Sequence, residues 1–141
     1  MKVAEIMSRG VHIANPQQTI GEIARQMADE EIGFMPVGEN DQLVGTITDR
    51  DMVVRGLADG LGGDAKVREV MNRDVKYCFE DEDVDDVTRN MGQVQVRRLP
   101  VVNREKRLTG VISLADAALV QKEAAGAGLK KVARPGGSHA S

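Results

Sequence analysis

Apolar residues recur along this chain at helical and strand spacings, and the whole pattern occurs twice. Ile20, Ile23, Ala24 and Met27 fall on one face of a helix behind Thr19-Ile-Gly-Glu22, a capping-box pattern. The same spacing returns at Val84, Val87, Thr88 and Met91, behind Asp83. Pro16 stands just before the first helix, where it can end a preceding strand. Each helix leads into a short apolar run, Met35-Pro-Val37 or Leu99-Pro-Val101. A polar turn follows, then a second run over 43–48 or 108–113, then a closing helix from near Asp49 or near Leu114. The predicted order is β-α-β-β-α in each half, preceded by a short helical turn that ends at Met7 or Met71.

The two halves are copies. Val3-Ala-Glu-Ile-Met7 matches Val67-Arg-Glu-Val-Met71, an offset of 71 − 7 = 64 residues. The register holds through Ile32/Val96 and Pro36/Pro100, then moves by one residue. Gly45-Thr-Ile-Thr48 therefore matches Gly110-Val-Ile-Ser113, and Asp51 matches Asp116. Self-similarity at a fixed period marks units that bury their apolar faces together. At 141 residues, the expectation is one core shared by both copies, unfolding as one unit. The repeats span 3–57 and 67–120, joined by a flexible Gly-rich linker over 58–66, and 126–141 reads as a flexible tail.

The closing helices are apolar on more than one side, with Met52, Val53, Val54 and Leu57 in one and Leu114, Ala117, Leu119 and Val120 in the other. Such helices are covered on two sides. They pack either between the sheets of one chain or against a second chain, and a homodimer is the expected state.

Composition narrows the class. A net charge of −3 provides no basic surface for a nucleic-acid backbone. No stretch of about 18 apolar residues occurs, so no membrane helix is expected. The N-terminus, carrying Glu5, does not read as a signal peptide, and a lone Cys78 rules out an internal disulfide. A cytoplasmic protein is expected. With Phe34, Tyr77 and Phe79 as its only aromatics, the core must be aliphatic.

The repeated hydrophobic-Pro-Val strand and the closing Gly-hydrophobic-hydrophobic-Thr/Ser-x-x-Asp motif resemble tandem cystathionine β-synthase (CBS) domains. The resemblance covers about residues 3 to 120, and GTITDRD at the end of the first copy is similar to small bacterial stand-alone CBS-pair proteins. It implies an α/β CBS-pair (Bateman) module of two pseudo-symmetric repeats. Such a module often dimerises and binds AMP, ATP or S-adenosylmethionine in clefts between the repeats. It acts as a sensor for an effector protein, without catalysis or a required cofactor.

Within that motif the spacing places the hydroxyl of Thr48 or Ser113 at a helix N-cap and Asp51 or Asp116 at the third helical position. This is a capping box in its own right. A carboxylate also has four lone-pair sites, enough to brace the backbone and accept from the two hydroxyls of a ribose. Apolar walls for adenine are sought at Ile13, Met35, Pro36, Tyr77, Leu99 and Pro100, with backbone edges from strands around Val11–Ile13 and Val75–Tyr77. Gly45 and Gly110 serve either close ligand approach or tight packing. For phosphate, the candidates are Arg50 in the first copy and Arg97 and Arg98 in the second, since a guanidinium matches phosphate oxygens. The copies differ here, so unequal sites are expected. The widely separated His12 and His139 form no metal cluster, and the acidic run Glu80–Asp83 reads as a solvated helix cap. Two other classes stay open: an assembly module with unoccupied clefts, and a redox- or metal-responsive protein acting through Cys78 or the acidic run.

Overall fold

A computed structural model describes residues 1–120, so the tail assigned to 126–141, and His139 with it, lie outside the described residues. The chain forms two compact units. The central unit is His12–Val75, and the composite unit joins Met1–Val11 to the chain from Lys76 onward.

The central unit follows the predicted order. Thr19 accepts a hydrogen bond from Glu22 N–H at 3.1 Å and opens α1 (Ile20–Glu30). The reciprocal bond from Thr19 N–H to the Glu22 carboxylate is not formed among the described residues; that carboxylate accepts instead from Gln18 Nε2 at 3.5 Å. Strands β1 (Phe34–Glu39) and β2 (Gln42–Thr48) pair antiparallel, with Phe34 opposite Thr48. The closing helix departs from expectation. It is one turn of α-helix, α2 (Asp49–Asp51), then a π turn over Met52–Gly56, then a 3-10 turn over Leu57–Asp59. A short helix α3 (Val67–Val70) completes the unit.

The expected strand around Val11–Ile13 reduces to one parallel bridge between Ala14 and Val37. Ala14 N–H donates to Pro36 O and Gly38 N–H to Ala14 O, both at 2.9 Å. The next rung back would need an N–H from Pro36, which proline lacks. Pro100 imposes the same limit in the second copy. There the strand is β3 (Cys78–Phe79) and not Val75–Tyr77.

The composite unit adds α4 (Val84–Val94), capped by Asp83 accepting from Asp85 N–H at 3.0 Å. It continues with β4 (Arg98–Val102), β5 (Leu108–Ser113) and α5 (Leu114–Val120), in sheet order β3-β4-β5. The acidic run is absorbed by structure: Glu82 accepts from Phe79 N–H at 2.9 Å, and Asp81 receives two bonds from Arg104 at 2.8 and 2.7 Å. That guanidinium, stacked 4.1 Å over Phe79, holds the Asp81 carboxyl below its usual range.

The expectation of one shared core gives way to two clusters, one in each unit. The central cluster includes Ala14, Ile23, Met35 and Ile47 with Val67, Val70 and Met71. The composite cluster includes Cys78, Met91, Leu99 and Ile112 with Val3 and Met7. Each helical turn thus serves the core of the other repeat. Equivalent residues make the trade possible, since Val3 matches Val67 and Met7 matches Met71. The close approach of these segments explains the glycines. A Cβ on Gly45 would lie 2.9 Å from Asn72 O, and one on Gly110 2.6 Å from Ser8 O, so both serve packing.

The connection over 58–66 is tied down. Its carbonyls at Ala65 and Gly63 accept the first N–H groups of α1, from Ile20 at 2.8 Å and Gly21 at 2.9 Å. These are donors that a helix start leaves without internal partners.

One core position carries a defect. Thr88 is fully buried and its hydroxyl has no hydrogen-bond partner among the described residues. An unsatisfied buried hydroxyl costs roughly 1–3 kcal/mol. Thr88→Val keeps the shape and removes the polar atom, so a urea melt should show a gain on the order of 1 kcal/mol.

Candidate functional site

Backbone pairing assembles the second motif. Arg98 lies opposite Ser113 in the β4–β5 ladder, and Leu114 N–H donates to Arg97 O at 2.8 Å. Both arginines are therefore anchored beside the turn that holds Ser113 and Asp116, and both are exposed. The parallel register places Tyr77 next to the level of Pro100, since Cys78 pairs with Val101. Tyr77 is 38% exposed and meets Phe79 edge-on at 5.7 Å. In the composite unit, Tyr77, the exposed Arg97 and Arg98, Ser113 and Asp116 thus belong to neighbouring strands and the turn that joins β5 to α5.

The two caps are unequal. Asp51 N–H donates to Thr48 Oγ1 at 3.0 Å, and Thr48 N–H donates back to Asp51 Oδ2 at 2.9 Å. The Asp51 carboxylate is therefore partly committed to the backbone. In the second copy Asp116 N–H donates to Ser113 Oγ at 3.0 Å, and no return bond to the Asp116 carboxylate forms among the described residues. The two copies thus differ in the bonding of their caps as well as in the arginines. Spacing alone could not show it, because both sequences satisfy the same pattern.

Other candidates fall elsewhere. Met35 and Leu99 are core side chains, 0% and 1% exposed, and Pro36 and Pro100 are buried. Ile13 is 46% exposed, and Arg50 is an exposed residue of α2. Of the residues sought as apolar walls, Ile13 in the central unit and Tyr77 in the composite unit are the exposed ones.

An apolar groove of about 440 Å³ in the central unit was not foreseen from the spacing of residues. Ile20, Ala24 and Met27 of α1 form one wall, with Met52, Val53 and Leu57 opposite and Asp49 at the turn between. The small side chains of Gly21, Ala24 and Ala28 leave it open.

These features belong to a recognisable group. The CBS domain matches the chain twice, over residues 3–56 and 67–123. The chain belongs to the CBS domain family. It is 36% identical over 132 residues to the CBS domain-containing protein YhcV of Bacillus subtilis, covering 92% of this chain and 94% of that one. To Hypoxic response protein 1 of Mycobacterium tuberculosis it is 35% identical over 116 residues, 81% of this chain and 80% of the relative. A crystal structure of Hypoxic Response Protein I with two coordinated zinc ions superposes with a TM-score of 0.76 at 33% identity, covering 84% of this chain and 98% of that one. The CBS pair of protein MJ0100, in complex with 5′-methylthioadenosine and S-adenosyl-L-methionine, gives 0.74 at 28% identity, over 85% and 94% of the two chains.

This CBS pair shows no group of three or more His, Cys, Asp or Glu placed to hold a metal among the described residues. No helix among them is long and apolar enough to cross a membrane. Cys78 is 2% exposed, and burial pushes its thiol from 9.0 up to about 12. Burial therefore disfavours the thiolate, the reactive species a redox sensor needs, at neutral pH. Ellman's reagent should therefore leave the folded protein unmodified over hours and label Cys78 within minutes in denaturant. The upward shift also makes the fold weaken from about pH 9 towards pH 12, as the unfolded thiol ionises and the folded one does not.

Proposed function

We propose that this protein is a non-catalytic regulatory CBS pair that binds an adenosine-containing ligand and signals to a partner protein in the cytoplasm. The observation that carries the reading is the Ser113–Asp116 turn. Its carboxylate makes no bond back to the backbone among the described residues, and its backbone is anchored to Arg97 and Arg98. Asp116 and Ser113 hold the ribose hydroxyls, Tyr77 offers its ring to adenine, and Arg97 and Arg98 meet phosphate. Thr48, Asp51, Ile13 and Arg50 form a second, weaker site. The MJ0100 pair, captured with two adenosine compounds, supports this ligand class.

A thermal-shift panel of AMP, ADP, ATP, NAD, S-adenosylmethionine and a cyclic dinucleotide tests the proposal. A ligand binding only the folded state at 100 times its Kd stabilises by about 2.7 kcal/mol, a melting shift of several degrees. No shift with any adenosine compound overturns the reading in favour of an assembly module.

We further propose that the module is a homodimer. Val53, Val54 and Leu57 are 55%, 47% and 67% exposed beside the groove, and Leu119 is 83% exposed. Patches of this kind are covered in stable proteins. Light scattering at tens of micromolar should give twice the 15.3 kDa chain mass, and a monomer overturns this.

A further inference from the structure

The first copy's closing segment is held between two helical registers. Leu57 donates its backbone N–H to two carbonyls at once, Met52 O five residues back and Val53 O four residues back. The first bond belongs to a π turn and the second to an α-helix. A π turn inside a helix often marks a functional site, because one register converts to the other without breaking the chain's path. Among the described residues the second copy shows no such feature: α5 is α-helix over Leu114–Val120.

The two copies differ in their caps in the same sense. Where Thr48 and Asp51 bond reciprocally, the segment that follows is in the π register. Where the Asp116 carboxylate makes no return bond among the described residues, the helix that follows is α over Leu114–Val120. The segment also has two faces. Thr48 and Asp51 belong to the proposed ribose contact, whereas Asp49, Met52, Val53 and Leu57 line the apolar groove. Val53 and Leu57 are its exposed walls.

We infer that Thr48–Leu57 is a two-register switch that couples ligand binding at the Thr48–Asp51 cap to the shape of the groove. This rests on the proposed ligand reading. A ribose hydroxyl that takes up the Asp51 carboxylate withdraws it from Thr48 N–H, leaving the one-armed cap of the second copy. The Leu57 amide then settles on Val53 O, and Val53 and Leu57 move with the turn. A bistable element of this kind turns a local bond exchange into a change at a separate surface. Because coupling is reciprocal, a chain locked in the α register binds ligand more tightly.

The experiment uses the full chain in an Asp116→Asn background, so that AMP reports on the Thr48–Asp51 cap. Calorimetry measures AMP affinity, and amide hydrogen exchange measures Leu57. Deleting Val54 removes the extra residue of the π turn and locks the α register. Gly56→Ala is the milder second variant, since alanine favours α-helix. Its Cβ would meet Ile20 Cδ1 at 3.3 Å, the end of a side chain that can move. The expected result is that saturating AMP changes Leu57 exchange and that either folded variant binds AMP at least fivefold more tightly. AMP binding with Leu57 exchange unchanged and variant affinities at or below the parent's overturns the switch and leaves the ligand reading standing. Absence of AMP binding in the parent chain, where Asp116 is intact, overturns both.

Discussion

A fragment of residues 1–60 will show no cooperative thermal melt, and a fragment of residues 12–75 will show one. The first ends before Val67, Val70 and Met71, which are 0%, 0% and 6% exposed in the central core. Removing even one large buried side chain costs about 2–5 kcal/mol, against a total stability of about 5–15 kcal/mol for a typical domain. The fragment also loses the carbonyls of Gly63 and Ala65 that hold the start of α1, and the paired bonds between Thr46 and Asn72 at 3.0 and 2.8 Å. It gains Val3 and Met7, whose core is absent. The second fragment keeps every residue of the central cluster. It has 75 − 12 + 1 = 64 residues, a size at which domains do fold alone. Far-UV circular dichroism against temperature reads the difference. A cooperative melt from 1–60 means that the helical turns do not serve the cores described above.

Replacing Asp116 with Asn should weaken binding of the best adenosine ligand by roughly 10- to 150-fold with little change in melting temperature. A charge-assisted hydrogen bond contributes about 1.5–3 kcal/mol, which sets that range. An acidic group in a first helical turn contributes only about 0.3–1 kcal/mol to the fold. Asp51→Asn should differ in kind. Its carboxylate also accepts from Thr48 N–H, so the substitution lowers melting as well as affinity. Phosphate truncation from ATP to adenosine should cost most at the Asp116 site, beside Arg97 and Arg98. Calorimetric titration paired with melts of both variants decides this. Two variants that melt lower yet bind as before leave the motif as a capping box alone.

Much of this was legible along the chain. The helical and strand periods placed α1, α4, β1, β2, β4 and β5, because burial on one face forces a matching spacing in sequence. Asp83 and Thr19 were readable as caps because a short polar side chain before an apolar period has one strong local use. Thr48, Asp51, Ser113 and Asp116 were found by position within a repeated motif. The expected strands around 11–13 and 75–77 do not form; pairing begins only at Ala14 and Cys78, since Pro36 and Pro100 in the partner strands lack the N–H that the next rung back needs.

The sequence by itself determined that there are two copies, what elements each contains and which residues face a core. These depend on local spacing, and the duplication states them twice. Which core each helical turn joins was decided only in three dimensions. Val3 and Val67, like Met7 and Met71, have the same size and chemistry, so the sequence fits either assignment equally well. The unequal caps were decided there too. Thr48-Asp-Arg-Asp51 and Ser113-Leu-Ala-Asp116 obey one pattern, yet among the described residues one carboxylate turns back to the chain and the other does not. The π turn over Met52–Gly56 follows the same logic. A shift of one hydrogen-bond register leaves the spacing of apolar residues almost untouched, so only packing against α1 and α3 reveals it.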